Sequence, residues 1–140
     1  MSLAMTQADR EQFLADLHVG VVSMNRKSAG PLSAPIWYIY EDGVVWFTTG
    51  ENSQKGKLMT LGERIAMVAQ TEAPPYRYVS VEGPIVAREA ADRERDIRPM
   101  AIRYLGEKQG NAYTDASSGE GNVLVKMQPE KWLTVDYSKA

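Results

Sequence analysis

The chain contains no cysteine and a single histidine. The first absence removes disulfides, thiolate nucleophiles, iron–sulfur ligation and every thiolate zinc site. The second removes any two- or three-histidine metal centre, and no carboxylate flanks His18 at ligand spacing, so no metal site is expected. Charge of one sign is also missing: 16 Lys and Arg stand against 18 Asp and Glu, for a formal net charge of −2. Such a surface has no field to gather nucleic acid, and no nucleic-acid partner is expected. No run is apolar enough to span a bilayer, and the N-terminus lacks the basic-then-apolar pattern of a secretory signal. The expected setting is the cytoplasm, with no membrane partner, and Met1 to Met5 read as a possible leader.

The 140 residues, 44% hydrophobic and 24% charged, fit one globular domain spanning 1–140 with one core. Thr6 reads as an N-cap opening a helix to about Leu17, with Phe13, Leu14 and Leu17 as its apolar stripe. His18 lies where this helix gives way to a strand, a place suited to a structural or rim side chain more than to a catalytic base. Val19 to Met24 follows as a strand, then a polar turn, then a hairpin over Leu32 to Thr49 in which PIWYIY and VVWFTT flank Glu41-Asp42-Gly43. A short helix around Leu58 to Leu61 closed by Gly62, a core strand at Ile65 to Gln70, and a strand from Tyr78 to Ala87 bent near Gly83-Pro84 come next.

Ala90 to Leu105 has helical periodicity, but Pro99 predicts a kink or two helices meeting near Arg98. Gly106 to Asn122 is polar and glycine-rich and reads as a mobile loop. Val123 to Met127 and Lys131 to Tyr137 read as a closing hairpin. Many short strands without strand–helix alternation predict a mainly β fold, an antiparallel barrel of six or seven strands with a few peripheral helices.

The stretch TTGENSQKGKL (residues 48–58) carries the most chemistry. It is not a P-loop, because five residues separate Gly50 from Gly56-Lys57 and Leu58 follows. Nor is Gly119-Glu120-Gly121 a dinucleotide fingerprint, since it lacks the third glycine and enters a strand. What remains is a strand end bearing Thr48 and Thr49, then Ser53, Gln54, Lys55 and Lys57 at a helix start. These are donors and cations suited to an anion. The plain reading of the same residues is a capped helix with surface lysines. No Ser–His–Asp set or GxSxG elbow is present, so catalytic residues stay unassigned, and any difficult chemistry would belong to an organic cofactor.

The order of Pro35-Ile36-Trp37-Tyr38, Asp42-Gly43, Trp46-Phe47-Thr48-Thr49, Ser53-Gln54-Lys55, Arg64-Ile65-Ala66-Met67-Val68, Val81-Glu82-Gly83 and Pro129-Glu130-Lys131-Trp132 resembles a known family. It is that of the split β-barrel flavin and deazaflavin oxidoreductases related to pyridoxamine 5′-phosphate oxidase. The resemblance implies an FMN-binding split barrel, a homodimer with two cofactors along its interface, and hydride transfer to or from a small organic substrate. It implies ring contacts from Ala34, Pro35, Ile36 and Trp37, and a phosphate grip by Thr48, Thr49, Ser53, Gln54 and Lys55 with charge from Lys57. Gln70 would face the ring and Trp132 would reach it from the partner. Tyr38, Tyr76, Tyr78 and Tyr104 are the candidate substrate-pocket residues.

Gln54 stands where the oxidase has an arginine, and LTVDYSKA follows Trp132 in place of an Arg-x-His signature, which argues against pyridoxamine phosphate as substrate. The Trp37-Tyr38 pair and the Ser53-Gln54-Lys55 turn are similar to the branch that uses the deazaflavin coenzyme F-420, though short members also bind FMN. A non-catalytic carrier or sensor, and a structural dimeric barrel, are the competing readings.

Overall fold

The computed structural model of the protein describes residues 2–140. Its frame is one antiparallel sheet of eight strands: β1 (Gly20–Met24), β2 (Leu32–Ile36), β3 (Ile39–Glu41), β4 (Val44–Gly50), β5 (Arg64–Gln70), β6 (Arg77–Ala90), β7 (Asn122–Met127) and β8 (Lys131–Asp136). The order is β2-β1-β5-β6-β7-β4-β3, with β8 added on β6. This is the expected antiparallel split barrel, with eight strands where the sequence suggested six or seven. The additional strand arises because the Leu32–Glu41 arm breaks at Trp37-Tyr38. Before the break β2 pairs with β1, and after it β3 pairs with β4. The expected hairpin is therefore confined to β3 and β4, with Asp42 (φ 53°) and Gly43 (φ 75°) both left-handed, as a tight hairpin turn requires.

The longest strand, β6, joins the two halves. Residues Arg77 to Glu82 pair with β8, and Ile85 to Ala90 pair with β7 across a register shift between Ile85 and Ala87. The bend anticipated at Gly83-Pro84 falls just before that shift. β7 and β8 do not form the closing hairpin with each other; each docks on a different part of β6. Their connection crosses β6 at Gly83, where a β-carbon would collide with the Gln128 carbonyl oxygen, so only glycine allows the approach.

Strand alternation selects the core. On β5 the burial pattern alternates strictly, with Ile65, Met67 and Ala69 inside, and on β1 Gly20, Val22 and Met24 turn inward. Phe47, Tyr38, Leu14, Met59 and Ile85 fill the space between the sheet halves. Helix α1 (Gln7–Ala15) covers one end, capped as expected by the Thr6 hydroxyl accepting from the Asp9 amide at 3.1 Å. Residues 3–5 are not idle: the Asp136 amide donates to the Leu3 carbonyl, and the Met5 amide donates to Thr134 Oγ1.

Beyond β6, Asp92 caps a five-residue π-helix (Arg93–Ile97), and α3 (Arg98–Leu105) starts at Arg98, the predicted junction. Pro99 falls in the first turn of α3, where its missing N–H costs nothing. The expected mobile loop over Gly106 to Asn122 is for the most part a helix, α4 (Glu107–Asp115). Tertiary contacts override its poor local propensity. Gly110 presses on the backbone of α3, so that a β-carbon there would stand 2.5 Å from Ile102 Cα. The buried Thr114 hydroxyl donates to the Gly110 carbonyl at 2.8 Å, and Arg98 reaches Asn111 Oδ1 at 2.8 Å and Asp115 Oδ1 at 2.7 Å.

Candidate functional site

The turn after β4 is built by backbone locks. Ser53 Oγ donates to the Gly50 carbonyl at 2.7 Å and accepts the Gly56 amide at 3.0 Å, capping the short helix α2 (Gln54–Leu58). At the other end of α2 the Arg88 guanidinium donates to the carbonyls of Gly56 (2.6 Å) and Met59 (2.9 Å), which neutralises the free C-terminal acceptors. The Glu51 amide donates to the Gly121 carbonyl at 2.7 Å, tying the turn to the start of β7.

This framework aims Lys55 into a cleft of about 370 Å³ lined by Val19, Pro35, Ile36, Trp37, Thr48, Lys55, Met100, Tyr113 and Asn122. A recess of about 60 Å³ continues past Trp37 and Tyr113 to Ile97 and Ser117. On the other side, Val19 and Pro35 also border an open cavity of about 850 Å³ that reaches His18, Val68, Gln70 and Arg77. Sharing Val19 and Pro35 with the cavity and Trp37 and Tyr113 with the recess, the cleft links the three into a trough that runs from the β1, β2 and β5 face to the end of β4 and the start of β7. The large cavity is the less specific part, because its rim is mostly apolar and carries the carboxylate of Glu72. The cleft has a polar end with one cation, Lys55, and two neutral donors, Thr48 and Asn122, beside the flat apolar ring of Trp37. No carboxylate lines the cleft or the recess. Such a donor set suits an anionic end on a planar apolar body.

Of the residues expected at the cofactor, Pro35, Ile36, Trp37, Thr48 and Lys55 line the cleft together, and Gln70 lines the adjoining cavity. Thr49 turns inward and is buried, because it alternates with Thr48 along β4. Ser53 is present as a turn lock whose one proton is already given to Gly50, so it has none to offer an anion. Gln54 and Lys57 are exposed, and neither they nor Ala34 line the cleft. Trp132 sits on β8 against Tyr40, edge to face at 6.0 Å, with the Arg10 guanidinium 4.4 Å from its ring.

The four candidate substrate-pocket tyrosines do not line the cleft either. Tyr38 is a core residue, fully buried, and its hydroxyl donates to the Leu14 carbonyl at 2.7 Å; burial raises its pKa far above the usual phenol value. Tyr76 lies just before β6 and Tyr78 on it, and neither lines the cleft. Tyr104 stands behind Trp37, with stacked ring centroids 5.2 Å apart at an angle of 5°. His18 stacks on Phe13 with centroids 4.3 Å apart, and its buried Nε2 has no partner among the described residues. Burial lowers its pKa, in keeping with a rim residue.

Met100, Tyr113 and Asn122 are lining residues that sequence reasoning missed. Two of them fell inside the segment read as a loop. The available signal was Tyr113 itself, one large ring in an otherwise polar stretch.

The pyridoxamine 5′-phosphate oxidase family model matches residues 6–136. The chain belongs to this family. Among solved structures, the oxidase-family chain is similar to a conserved hypothetical protein from Mycobacterium tuberculosis, with a TM-score of 0.79 at 20% identity over 98% of this chain and 88% of that one. It is also similar to an F420 reductase, with a TM-score of 0.64 at 20% identity over 88% and 94% of the two chains. A third is an FAD-binding protein from Mycobacterium smegmatis, with a TM-score of 0.61 at 13% identity over 93% and 94%. At these identities the structures share the split-barrel fold. A search of curated proteins gives no match. Among the described residues, no helix is long and apolar enough to cross a membrane, and no group of three or more His, Asp or Glu is placed to hold a metal ion.

Proposed function

We propose that this family member binds a phosphate-bearing flavin or deazaflavin, FMN or F-420, in the cleft and acts as an oxidoreductase on a small organic substrate. The observation that carries this reading is the pairing of Lys55, Thr48 and Asn122 with the Trp37 ring in a cleft free of carboxylates. The F420- and FAD-binding names among structures of the same fold agree with it. When bound, the coenzyme supplies hydride transfer. The chain's own residues do the rest. Lys55 and Thr48 hold the anionic end, while Pro35 and Ile36 form the apolar bed of the ring and Gln70 offers an amide at the open side. Substrates other than pyridoxamine phosphate are favoured by the absence of Arg-x-His after Trp132.

The site is open on one side within a single chain. Leu17, Val19 and Val21 lie exposed along the trough beside Pro35 and Val68, an apolar face that a second copy of the chain would cover. The functional unit in this reading is a homodimer, closing the trough over the coenzyme.

Titration of the purified protein with FMN and with F-420, followed by absorbance and fluorescence, tests the reading, with sedimentation analysis for the dimer. Absence of binding to both coenzymes sinks it. A carrier without turnover is favoured by one observation: Lys55 and Tyr113 are the only ionisable side chains lining the cleft, so the chain brings few proton-transfer groups. Mixing the reduced complex with enones and quinones separates the two, because a carrier leaves the coenzyme reduced.

A further inference from the structure

Tyr104 was expected to line a pocket, yet its contacts point inward to two separate segments, at His18 and at Trp37-Tyr38. Its hydroxyl donates to the His18 carbonyl at 2.6 Å, lies 3.0 Å from the Tyr38 carbonyl and accepts the Tyr38 amide at 3.0 Å. Its ring stacks flat on Trp37, which also meets Tyr113 at 5.8 Å with a tilt of 58°. His18 borders the 850 Å³ cavity, and Trp37 walls the 370 Å³ cleft. One side chain of α3 therefore joins the rims of both cavities at the break between β2 and β3, where residues 37 and 38 have no strand partners to hold them.

We propose that Tyr104 is a positioning residue for coenzyme binding: its hydroxyl and ring hold Trp37 and the His18 segment so that cleft and cavity form one continuous trough. The inference rests on the coenzyme-binding reading above. The indole of Trp37 has its orientation imposed by the stacked Tyr104 ring, while Trp37 also lines the cleft. Without the Tyr104 hydroxyl the Tyr38 amide loses its acceptor, and the break loses its tie to α3 and to His18. Gly110 and the Arg98 contacts fasten α4 to α3, the helix that carries Tyr104.

The test compares Tyr104→Phe with Tyr40→Phe. The second deletes a hydroxyl that bonds Glu11 at 3.0 Å and does not border the cleft. Titration with FMN and F-420 should show the Kd of whichever binds raised by about fivefold or more in Tyr104→Phe, and within about twofold of wild type in Tyr40→Phe. With a fluorine-labelled tryptophan at position 37, the resonance shift on coenzyme addition should be diminished by Tyr104→Phe. Equal weakening by the two variants, or no weakening by Tyr104→Phe, overturns the proposal.

A fluorine-labelled tryptophan at position 37 of otherwise wild-type protein gives a readout independent of any tyrosine variant. A resonance that does not respond to bound coenzyme also overturns it. If the wild type binds neither coenzyme, the coenzyme reading falls and this inference with it. If the wild type binds and Lys55→Ala weakens binding while Tyr104→Phe does not, this inference alone falls.

Discussion

The carbonyl oxygen of Gly50 occupies the place where a β-carbon on Gly56 would have to go. The first turn of α2 is thereby pressed onto the end of β4, and the same carbonyl accepts the Ser53 hydroxyl. This contact sets where Lys55, one residue earlier, enters the cleft. A glycine that looks like a weak point in a helix is the condition for the lysine's position.

Gly56→Ala should therefore destabilise the protein by about 1–3 kcal/mol through overpacking and lift α2 from β4. The melting temperature should fall and coenzyme affinity should fall with it. An unaltered melting temperature would show that the turn accommodates the methyl group.

The two lysines of the turn should behave differently. Lys55→Ala is expected to weaken coenzyme binding by about 1.5–3 kcal/mol, the worth of a charged hydrogen bond. Lys57→Ala, on the exposed face, should change it by less than about 0.5 kcal/mol. Equal losses in the Kd values would place the anion outside the cleft.

Tyr38→Phe should cost about 1–2 kcal/mol in denaturant unfolding, because the Leu14 carbonyl is left without its buried donor. Since Tyr38 does not line the cleft, coenzyme Kd should stay unchanged. A variant with normal stability and altered binding would return Tyr38 to the site.

His18 makes stability depend on pH. Burial holds its pKa below the ordinary value of about 6.5, opposed by Asp16 and the Phe13 carbonyl and assisted by Arg77 and Arg103. The unfolded chain therefore takes up a proton at a pH where the folded chain does not. On this account stability from His18 is complete above the unfolded pKa and declines as pH falls through it, until the folded pKa is passed. His18→Gln should flatten this part of the profile, as measured by urea midpoints between about pH 7 and 5. A wild-type profile already flat there would refute the assignment.

The β-rich runs, the Asp42-Gly43 turn, the Thr6 cap and the junction at Arg98 were legible because each depends on residues within a few positions of one another. The donor-rich composition of residues 48–58 was legible in the same way, as a local concentration of hydroxyls and ammonium groups. Which of those groups faces the cleft was not. Thr48 and Thr49 differ only by strand parity, and Lys55 and Lys57 only by the turn of a helix whose seat is fixed by Gly50 and Arg88 from elsewhere in the chain.

Local composition determined a mainly β, single-histidine, cysteine-free protein with a donor-rich turn after the VVWFTT strand. Tertiary structure alone decided that Gly106 to Asn122 is largely helical and walls the cleft with Tyr113. It also decided that β7 and β8 part company on β6, and that Tyr104 serves Trp37 from behind. The reason is range: propensity and capping act over a few residues, whereas Gly110 on Ile102, Gly83 under Gln128 and Tyr104 against His18 are contacts whose energies exist only once distant segments have met.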